Sequence, residues 1–306
     1  MVNIVTCYRK MLHKVMKLAG MKSIEVEIDH ETKIHFWVPS KPKNSNPNIV
    51  LLHGFAGDGI LTWQFQVLTL RKKYNVYVPD FLFFGKSYTS KFERSAKFQA
   101  NCLAFGLKSL GLEKCIVVGF SYGGMVSFQL AEHHPELVGS VIITDSVLGL
   151  TESISRKGLA QIGFTSWADF LIPNTSEGVK VLLDYSSYKN NFPWFPRFVY
   201  QHYLEVMFNN RKERFELLDA LVIKDEDVVT NHQFQQVIHL IWGNQDKIFD
   251  MEVANNLKER LGGKTRLLIV EDAGHLAMLE RPSIFNRRLK EILDSLLSGQ
   301  FKNILI

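Results

Sequence analysis

The sequence predicts an α/β fold built on a mostly parallel sheet of eight strands flanked by helices, with a helical cap inserted between the sixth and seventh strands. Three observations lead to this prediction. Short apolar runs alternate with helical segments over most of the 306 residues. A glycine-rich turn carrying Ser121 separates one such run from the helix after it. The alternation stops between residues 147 and 232, where aromatic side chains are scattered among helical patches.

Residues 1–23 form a basic, amphipathic N-terminal segment. Before the first acidic residue, Glu25, the chain carries five of its 36 basic side chains: Arg9, Lys10, Lys14, Lys17 and Lys22. The rest of the chain is balanced, with 31 basic against 31 acidic residues, so a nucleic-acid-binding surface is not expected. The charges interrupt the apolar residues, so no secretory signal is predicted. Residues 1–22 could contact a membrane or target an organelle, or form a solvated helix packed on the body.

Strands are predicted where apolar residues alternate with charged ones or run without interruption, as buried parallel strands do. They cover residues 24–28, 33–38, 49–52, 75–79, 114–118, 140–145, 237–242 and 265–270. Helices are predicted at 63–72, 125–134, 251–261 and 282–297, with another whose apolar face carries Leu103, Leu107 and Leu110.

The break in the pattern divides the chain into a core of residues 24–146 and 233–306 and a cap of residues 147–232. A structureless connection of the cap's length would be improbable in a compact domain, so a helical lid is expected there. Continuous strand–helix alternation on either side predicts a single parallel sheet with right-handed connections.

The turn Gly119-Phe120-Ser121-Tyr122-Gly123-Gly124 has the pattern of a nucleophile elbow, in which a strand runs into Gly-x-Ser-x-Gly and then a helix. Presenting a serine hydroxyl on so sharp a turn requires a strained backbone and a close neighbouring helix. Small residues two before and two after the serine allow that crowding. Ser121 is therefore predicted to be a nucleophile at the end of the fifth strand.

A serine nucleophile needs a base and a carboxylate that orients the base, and in this arrangement the chain order is Ser, Asp or Glu, then His. Asp246 follows the seventh strand and His275 follows the eighth. All three side chains should project at the carboxyl edge of the sheet, so a Ser121–His275–Asp246 triad is predicted. Asp145, after the sixth strand, and Asp272 are competing acids.

The loop after the third strand is predicted to complete the site. The backbone amides of Phe55 and Tyr122 would form the oxyanion hole, with His53 and Gly54 supporting the loop. Glycine-rich loops also bind phosphate, but this one lacks the Gly-Lys-Ser/Thr ending. No His/Cys/Asp cluster has metal-ligand spacing, so neither metal nor cofactor is expected.

Several motifs together resemble the α/β-hydrolase superfamily, over about residues 34–297. They are His53-Gly54-Phe55, Asp80 with Gly85-Lys86-Ser87, the elbow, Trp242-Gly243-x-x-Asp246, and Gly274-His275 followed by Glu280-Arg281-Pro282. Within it the chain is similar to plant esterase-like members and to bacterial carbon–carbon bond hydrolases, although Phe55-Ala56-Gly57 departs from the Gly-x-Gly-Pro-Gly loop of the latter. The resemblance places a lid where the cap is predicted. Epoxide hydrolases and haloalkane dehalogenases of this fold use an aspartate nucleophile where this chain has Ser121.

The expected function is that of a carboxylesterase-like serine hydrolase acting on a small, largely apolar substrate. Four alternatives stay open. A carbon–carbon bond hydrolase or a hydroxynitrile lyase would use the same triad, and a transferase would pass the acyl group to another alcohol. A slow-turnover receptor is the fourth, although the elbow Gly-Phe-Ser-Tyr-Gly differs from the Gly-His-Ser-Val-Ser of the strigolactone and karrikin receptors.

The cysteines and the hydropathy bear on location. The chain has three cysteines, Cys7, Cys102 and Cys115, and no two of them have CxxC spacing. This pattern favours a reducing, intracellular environment, and the cytoplasm is the expected location. No apolar run approaches the ~20 residues that a membrane-spanning helix needs.

Overall fold

A nine-stranded sheet runs through the structure, a computed structural model that describes residues 2–188, 195–227 and 234–298. The strands in these ranges are β1 (Met21–Asp29), β2 (Thr32–Pro39), β3 (Asn48–Leu52), β4 (Asn75–Pro79), β5 (Tyr88–Thr89), β6 (Cys115–Phe120), β7 (Val138–Thr144), β8 (Leu150–Thr151), β9 (Val222–Ile223), β10 (Val237–Gly243) and β11 (Leu267–Val270). The α-helices are α1 (Ile4–Leu18), α2 (Gly59–Leu70), α3 (Ala96–Ser109), α4 (Tyr122–His133), α5 (Glu152–Ile162), α6 (Trp167–Leu171), α7 (Ser176–Ser186), α8 (Arg197–Met207), α9 (Arg211–Asp219), α10 (Met251–Leu261), α11 (Ala277–Glu280) and α12 (Pro282–Leu297).

The main path of the sheet has the order β1-β2-β4-β3-β6-β7-β10-β11 and contains the eight strands predicted from the sequence. From β4 to β11 every pairing is parallel, whereas β2 pairs antiparallel with β1 and β4. The two-residue β5 pairs with β2 and is too short to show a periodic pattern. The parallel strands all end at one edge, so the loops after β3, β6, β7, β10 and β11 meet there.

Apolar side chains cover both faces of the sheet, which explains why its central strands are continuously apolar. One face packs against α3, α4, α10 and the segment between β7 and β10, and includes the fully buried Phe128 and Trp242. The other packs against α1, α2, α11 and α12, where the rings of Trp63 and Phe285 lie 6.1 Å apart. Each such side chain contributes about 1.5–3 kcal/mol by leaving water.

The segment between β7 and β10 is mainly helical over its described residues and contains α5 to α9. Its two short strands, β8 and β9, pair in parallel through Leu150 and Val222 and were not predicted, because two residues cannot reveal a period. The predicted cap end at 232 and core end at 306 lie outside the described residues, as do residues 189–194.

Helix α1 occupies most of the predicted N-terminal segment. It begins after Asn3, whose side chain accepts a hydrogen bond from the Thr6 amide. Leu12 and Met16 are buried on the core. Strand β1 begins at Met21, inside the predicted N-terminal segment 1–23. Met21 is buried, but the two polar residues after it, Lys22 and Ser23, hide the start of the strand's apolar alternation in the sequence. Across the three described stretches of the chain, no helix combines the length and the apolar character needed to cross a membrane.

Two buried histidines should make the protein acid-sensitive. Burial lowers the pKa of His53, and burial followed by nearby Arg266 lowers the pKa of His239 to about 4. The unfolded chain then binds more protons than the native one, so stability falls as pH drops below about 6.5.

For His239 the loss should be on the order of 2 kcal/mol between pH 7 and 4. The free energy of unfolding, measured in urea across this range, should fall less steeply with pH in His239→Asn than in wild type. Asparagine keeps an acceptor for the Arg266 amide. His30→Asn changes an exposed side chain and is the control. If the stability of the two variants depended equally on pH, the pH dependence would not come from His239.

Candidate active site

Ser121 sits on a strained turn between β6 and α4. Its φ of 52° and ψ of −119° are unfavourable for a residue with a side chain. Strand β7 and the loop after it hold this conformation: the Ser121 amide donates to the Thr144 carbonyl at 3.1 Å, and Ser146 Oγ donates to the Ser121 carbonyl at 2.6 Å. The Ser121 side chain therefore stands at the carboxyl edge of the sheet, above the N-terminus of α4.

The glycines flanking Ser121 are needed because α4 passes very close to the strands. A Cβ atom at Gly123 would lie 2.5 Å from the carbonyl oxygens of Leu52 and His53, and one at Gly119 would lie 2.5 Å from the Gly123 carbonyl oxygen. Backbone atoms cannot yield as the end of a flexible side chain can. The spacing of Gly-x-Ser-x-Gly is thus a steric requirement of this crossing.

We expect Gly123→Ala to destabilise the protein by more than about 2 kcal/mol, since β3 or α4 must shift to accept the methyl group. Gly263→Ala is the matched control, because nothing lies within 4 Å of a Cβ there. Chemical denaturation of both variants measures the difference. Equal unfolding midpoints would show that α4 adjusts without cost.

The structure brings Ser121, His275 and Asp246 into one hydrogen-bonded row. His275 Nε2 lies 3.0 Å from Ser121 Oγ, and His275 Nδ1 lies 2.7 Å from Asp246 Oδ2. The other Asp246 oxygen accepts hydrogen bonds from the amides of Ile248 at 2.7 Å and Phe249 at 3.1 Å. The carboxylate is fully buried and held in place by the loop after β10.

The two competing acids point elsewhere. Asp145 is buried and accepts hydrogen bonds from the Gly243 amide at 2.9 Å and from the Thr144 hydroxyl. Burial, and then the charge of the nearby Asp246, raise the pKa of Asp145 well above its usual range. Asp272 is exposed and faces Arg281 at 3.8 Å. Of the three acids, it is Asp246 that accepts the hydrogen bond from His275 Nδ1.

The predicted oxyanion loop lies beside Ser121. A Cβ at Gly54 would lie 3.4 Å from the Ser121 Cβ, so the two backbones nearly touch. The amides of Phe55 and Tyr122 donate no hydrogen bond within the described ranges. His53 Nε2 accepts from the Phe81 amide at 3.0 Å, so the ring proton is on Nδ1, which donates to the Gly54 carbonyl at 2.7 Å. His53 thus ties this loop to the one after β4.

A buried arginine in the cap also supports this region, and sequence analysis did not single it out. Arg214 of α9 stacks 4.2 Å above the Phe84 ring and donates to the carbonyls of Phe83 and Met207. Phe84 in turn packs edge-on against Phe55. Burial lowers the pKa of Arg214 to about 10. No sequence signal marks it, since arginine in an amphipathic helix is usually exposed.

A narrow cavity of about 30 Å³ opens on Ser121 and His275. It is walled mainly by apolar side chains, some of them from the helical segment between β7 and β10. The lining residues besides these two are Phe55, Tyr122, Met125, Leu150, Trp167, Leu171, Leu218, Leu221, Ile248 and Phe249. The described part of the chain contains no group of three or more His, Cys, Asp or Glu side chains that could hold a metal ion.

A strained serine facing a histidine at the carboxyl edge of a parallel sheet, under a helical insertion, defines a protein of the α/β-hydrolase class. Comparison with protein families agrees: the model of the α/β hydrolase fold matches residues 47–282. The chain belongs to this family, and it is a hydrolase-fold protein.

Individual relatives are distant. Epoxide hydrolase 4 of Mus musculus is 23% identical over 282 residues, covering 84% of this chain and 75% of that protein. Lipase 1 of Psychrobacter immobilis is 26% identical over 244 residues, covering 76% and 72%. Among solved structures, lip1 of Acinetobacter baumannii AYE has a TM-score of 0.82 at 23% identity, covering 96% and 97% of the two chains. At these identities the structural likeness concerns the fold.

Proposed function

We propose that the protein is a serine hydrolase that cleaves esters, or similarly activated carbonyl compounds, with a largely apolar acyl group. The observation that carries the proposal is the row of hydrogen bonds from Ser121 Oγ through His275 to Asp246, with distances of 3.0 and 2.7 Å. This row supplies a nucleophile, a base and the carboxylate that orients the base.

In the first half of the reaction, Ser121 Oγ attacks the carbonyl carbon while His275 Nε2 takes the hydroxyl proton. The carbonyl oxygen becomes an oxyanion, which accepts hydrogen bonds from the Phe55 and Tyr122 amides. Asp246 accepts from His275 Nδ1 and stabilises the imidazolium. The C–O bond to the alcohol then breaks, His275 returns its proton to the departing oxygen, and an acyl-Ser121 ester remains.

In the second half, water loses a proton to His275 Nε2 and attacks the acyl carbon. The bond to Ser121 Oγ breaks and Oγ regains the proton, so that the acid leaves and the enzyme is restored. The strained backbone at Ser121 supports both halves, because it holds Oγ clear of the sheet, where carbonyl and water can reach it.

The substrate class follows from the cavity walls. Apart from Ser121 and His275, the lining is apolar or aromatic, so an alkyl or aryl acyl group fits better than a charged one. The cavity is small, with a volume of about 30 Å³. Trp167 and Leu218, from the segment between β7 and β10, line the cavity and would contact the acyl group.

Similarity to epoxide hydrolase 4 offers a second activity, and the nucleophile position bears on it. The residue on the strained turn is Ser121, whose acyl ester is opened by water at a carbonyl carbon. An epoxide has no carbonyl for this chemistry. Similarity to Lipase 1 supports the ester-cleaving proposal instead.

Hydrolysis of p-nitrophenyl esters from acetate to long acyl chains tests the proposal, with fluorophosphonate labelling in parallel. We expect turnover with an optimum at one chain length, and covalent labelling at Ser121. Labelling without turnover on any ester would point to a specialised carbonyl substrate, a lyase or a receptor. Absence of both would overturn the proposal.

A further inference from the structure

Helix α1 carries a second apolar stripe, beside its buried side and largely exposed. Val5, Leu12 and Met16 form the buried side. The outer stripe follows the alternating spacing of four and three residues that lines one side of a helix. It consists of Ile4, Tyr8, Met11, Val15 and Leu18. Val15 is half-buried and packs against the core, but Met11 is 53% exposed and Leu18 is 88% exposed, so most of this stripe is uncovered.

Positive charge flanks the outer stripe. Lys10, Lys14 and Lys17 are all exposed and lie along one border of the stripe at helical spacing. No acidic side chain occurs before Glu25, and the five basic residues before it equal the net charge of +5, since the rest of the chain sums to zero. Lysine stems can lie along an apolar surface while their ammonium groups reach outward.

Apolar side chains of two neighbouring helices extend the stripe into a patch. The Ile4 amide donates to His202 Nδ1 at 3.2 Å, and the His202 ring packs 5.7 Å from Phe198, which is 47% exposed. On the other side, the Tyr8 hydroxyl bonds to Gln64 of α2. The next exposed apolar residues on α2 are Phe65 and Leu68.

Polar contacts fasten α1 to the body close to the candidate active site. Asn3 Nδ2 donates to Glu205 of α8 at 3.1 Å, and Arg9 pairs with Asp58, which caps α2. Tyr203 of α8 donates to the Ala56 carbonyl, beside Phe55, at 2.9 Å. A surface bound by α1 would therefore hold the whole domain in a defined orientation.

We propose that this face of α1, with Phe65, Leu68 and Phe198, docks the protein on the surface of an anionic lipid bilayer. An exposed apolar stripe bordered by lysines is the arrangement of helices that lie in the membrane interface. The lysines favour an anionic bilayer over a second copy of the chain, because a second copy would bring like charges together. The docked helix lies flat and does not span the bilayer.

Co-sedimentation with vesicles tests the proposal without relying on catalysis. Vesicles of phosphatidylcholine containing about a third phosphatidylserine should pellet the protein, and pure phosphatidylcholine should bind it far more weakly. Exchanging Lys10, Lys14 and Lys17 for glutamine should weaken binding to the anionic vesicles by about a hundredfold. Raised salt should weaken wild-type binding in the same direction.

The apolar contribution is tested by Met11→Asp combined with Leu18→Asp, which should reduce binding more than tenfold. Phe105→Asp is the matched control, because Phe105 is 51% exposed but lies on α3. Thermal unfolding verifies that every variant is folded. Equal binding by the Met11/Leu18 and Phe105 variants, or no binding to either vesicle, would overturn the proposal. If the exposed face of α1 binds another protein instead of lipid, the protein should bind neither kind of vesicle.

Discussion

Ser121→Ala is expected to lower kcat for p-nitrophenyl esters by about 10⁴- to 10⁶-fold, the range seen when a nucleophile that works together with its base is removed. The oxyanion amides and the apolar pocket remain, so KM should change little. The alanine occupies the same strained backbone, and the thermal midpoint should stay within a few degrees of wild type. Stopped assays and fluorophosphonate labelling measure the loss.

Ser153→Ala is the control for labelling. Ser153 lies at the start of α5, where its hydroxyl bonds to Asp225, away from His275. This variant should keep full labelling and turnover. If the Ser121 variant were labelled as strongly as wild type, another nucleophile would be responsible and the proposed mechanism would fail.

Asp246→Asn is expected to reduce kcat/KM by about 10³- to 10⁴-fold with little loss of structure. The asparagine carbonyl can keep the hydrogen bonds from Ile248 and Phe249. Its NH₂ group then faces His275 Nδ1, which must accept instead of donate. The ring proton moves to Nε2, where it prevents His275 from taking the proton of Ser121.

Asp145→Asn is the control for Asp246→Asn: it removes a buried carboxylate that does not orient His275. Asp145 is as buried as Asp246 but bonds to the Gly243 amide and Thr144. Its replacement should cost less than about tenfold in kcat/KM, because nothing at His275 changes. The reverse order of effects would make Asp145 the functional acid.

Much of the fold was predictable because its signals are local. The eight strands of the main path are continuous apolar runs or apolar–charged alternations, and their alternation with helices predicts the parallel sheet that the structure contains. Boundaries were less predictable: α2 begins at Gly59, since Asp58 caps it by accepting from the Leu61 amide, and it is kinked at Trp63, where the sequence predicts the helix to start. The pairing of β8 with β9 joins residues far apart in the chain and leaves no local pattern.

For the candidate site, chain order alone determined that Ser121, Asp246 and His275 follow strands that end at one edge. The elbow motif likewise determined where small residues must stand. Which carboxylate meets the imidazole was decided only by the tertiary structure, because Asp145 and Asp246 both follow strands and differ in the direction of their side chains.

The sequence by itself determined the strands, the edge at which the polar residues gather and the basic N-terminal segment. Only the tertiary structure decided that Arg214 lies buried on Phe84, that His53 carries its proton on Nδ1, and that one side of α1 stays uncovered. The physical reason is the range of the interactions. Periodicity and turn chemistry depend on neighbours along the chain, whereas burial and hydrogen-bond partners depend on residues that folding brings together.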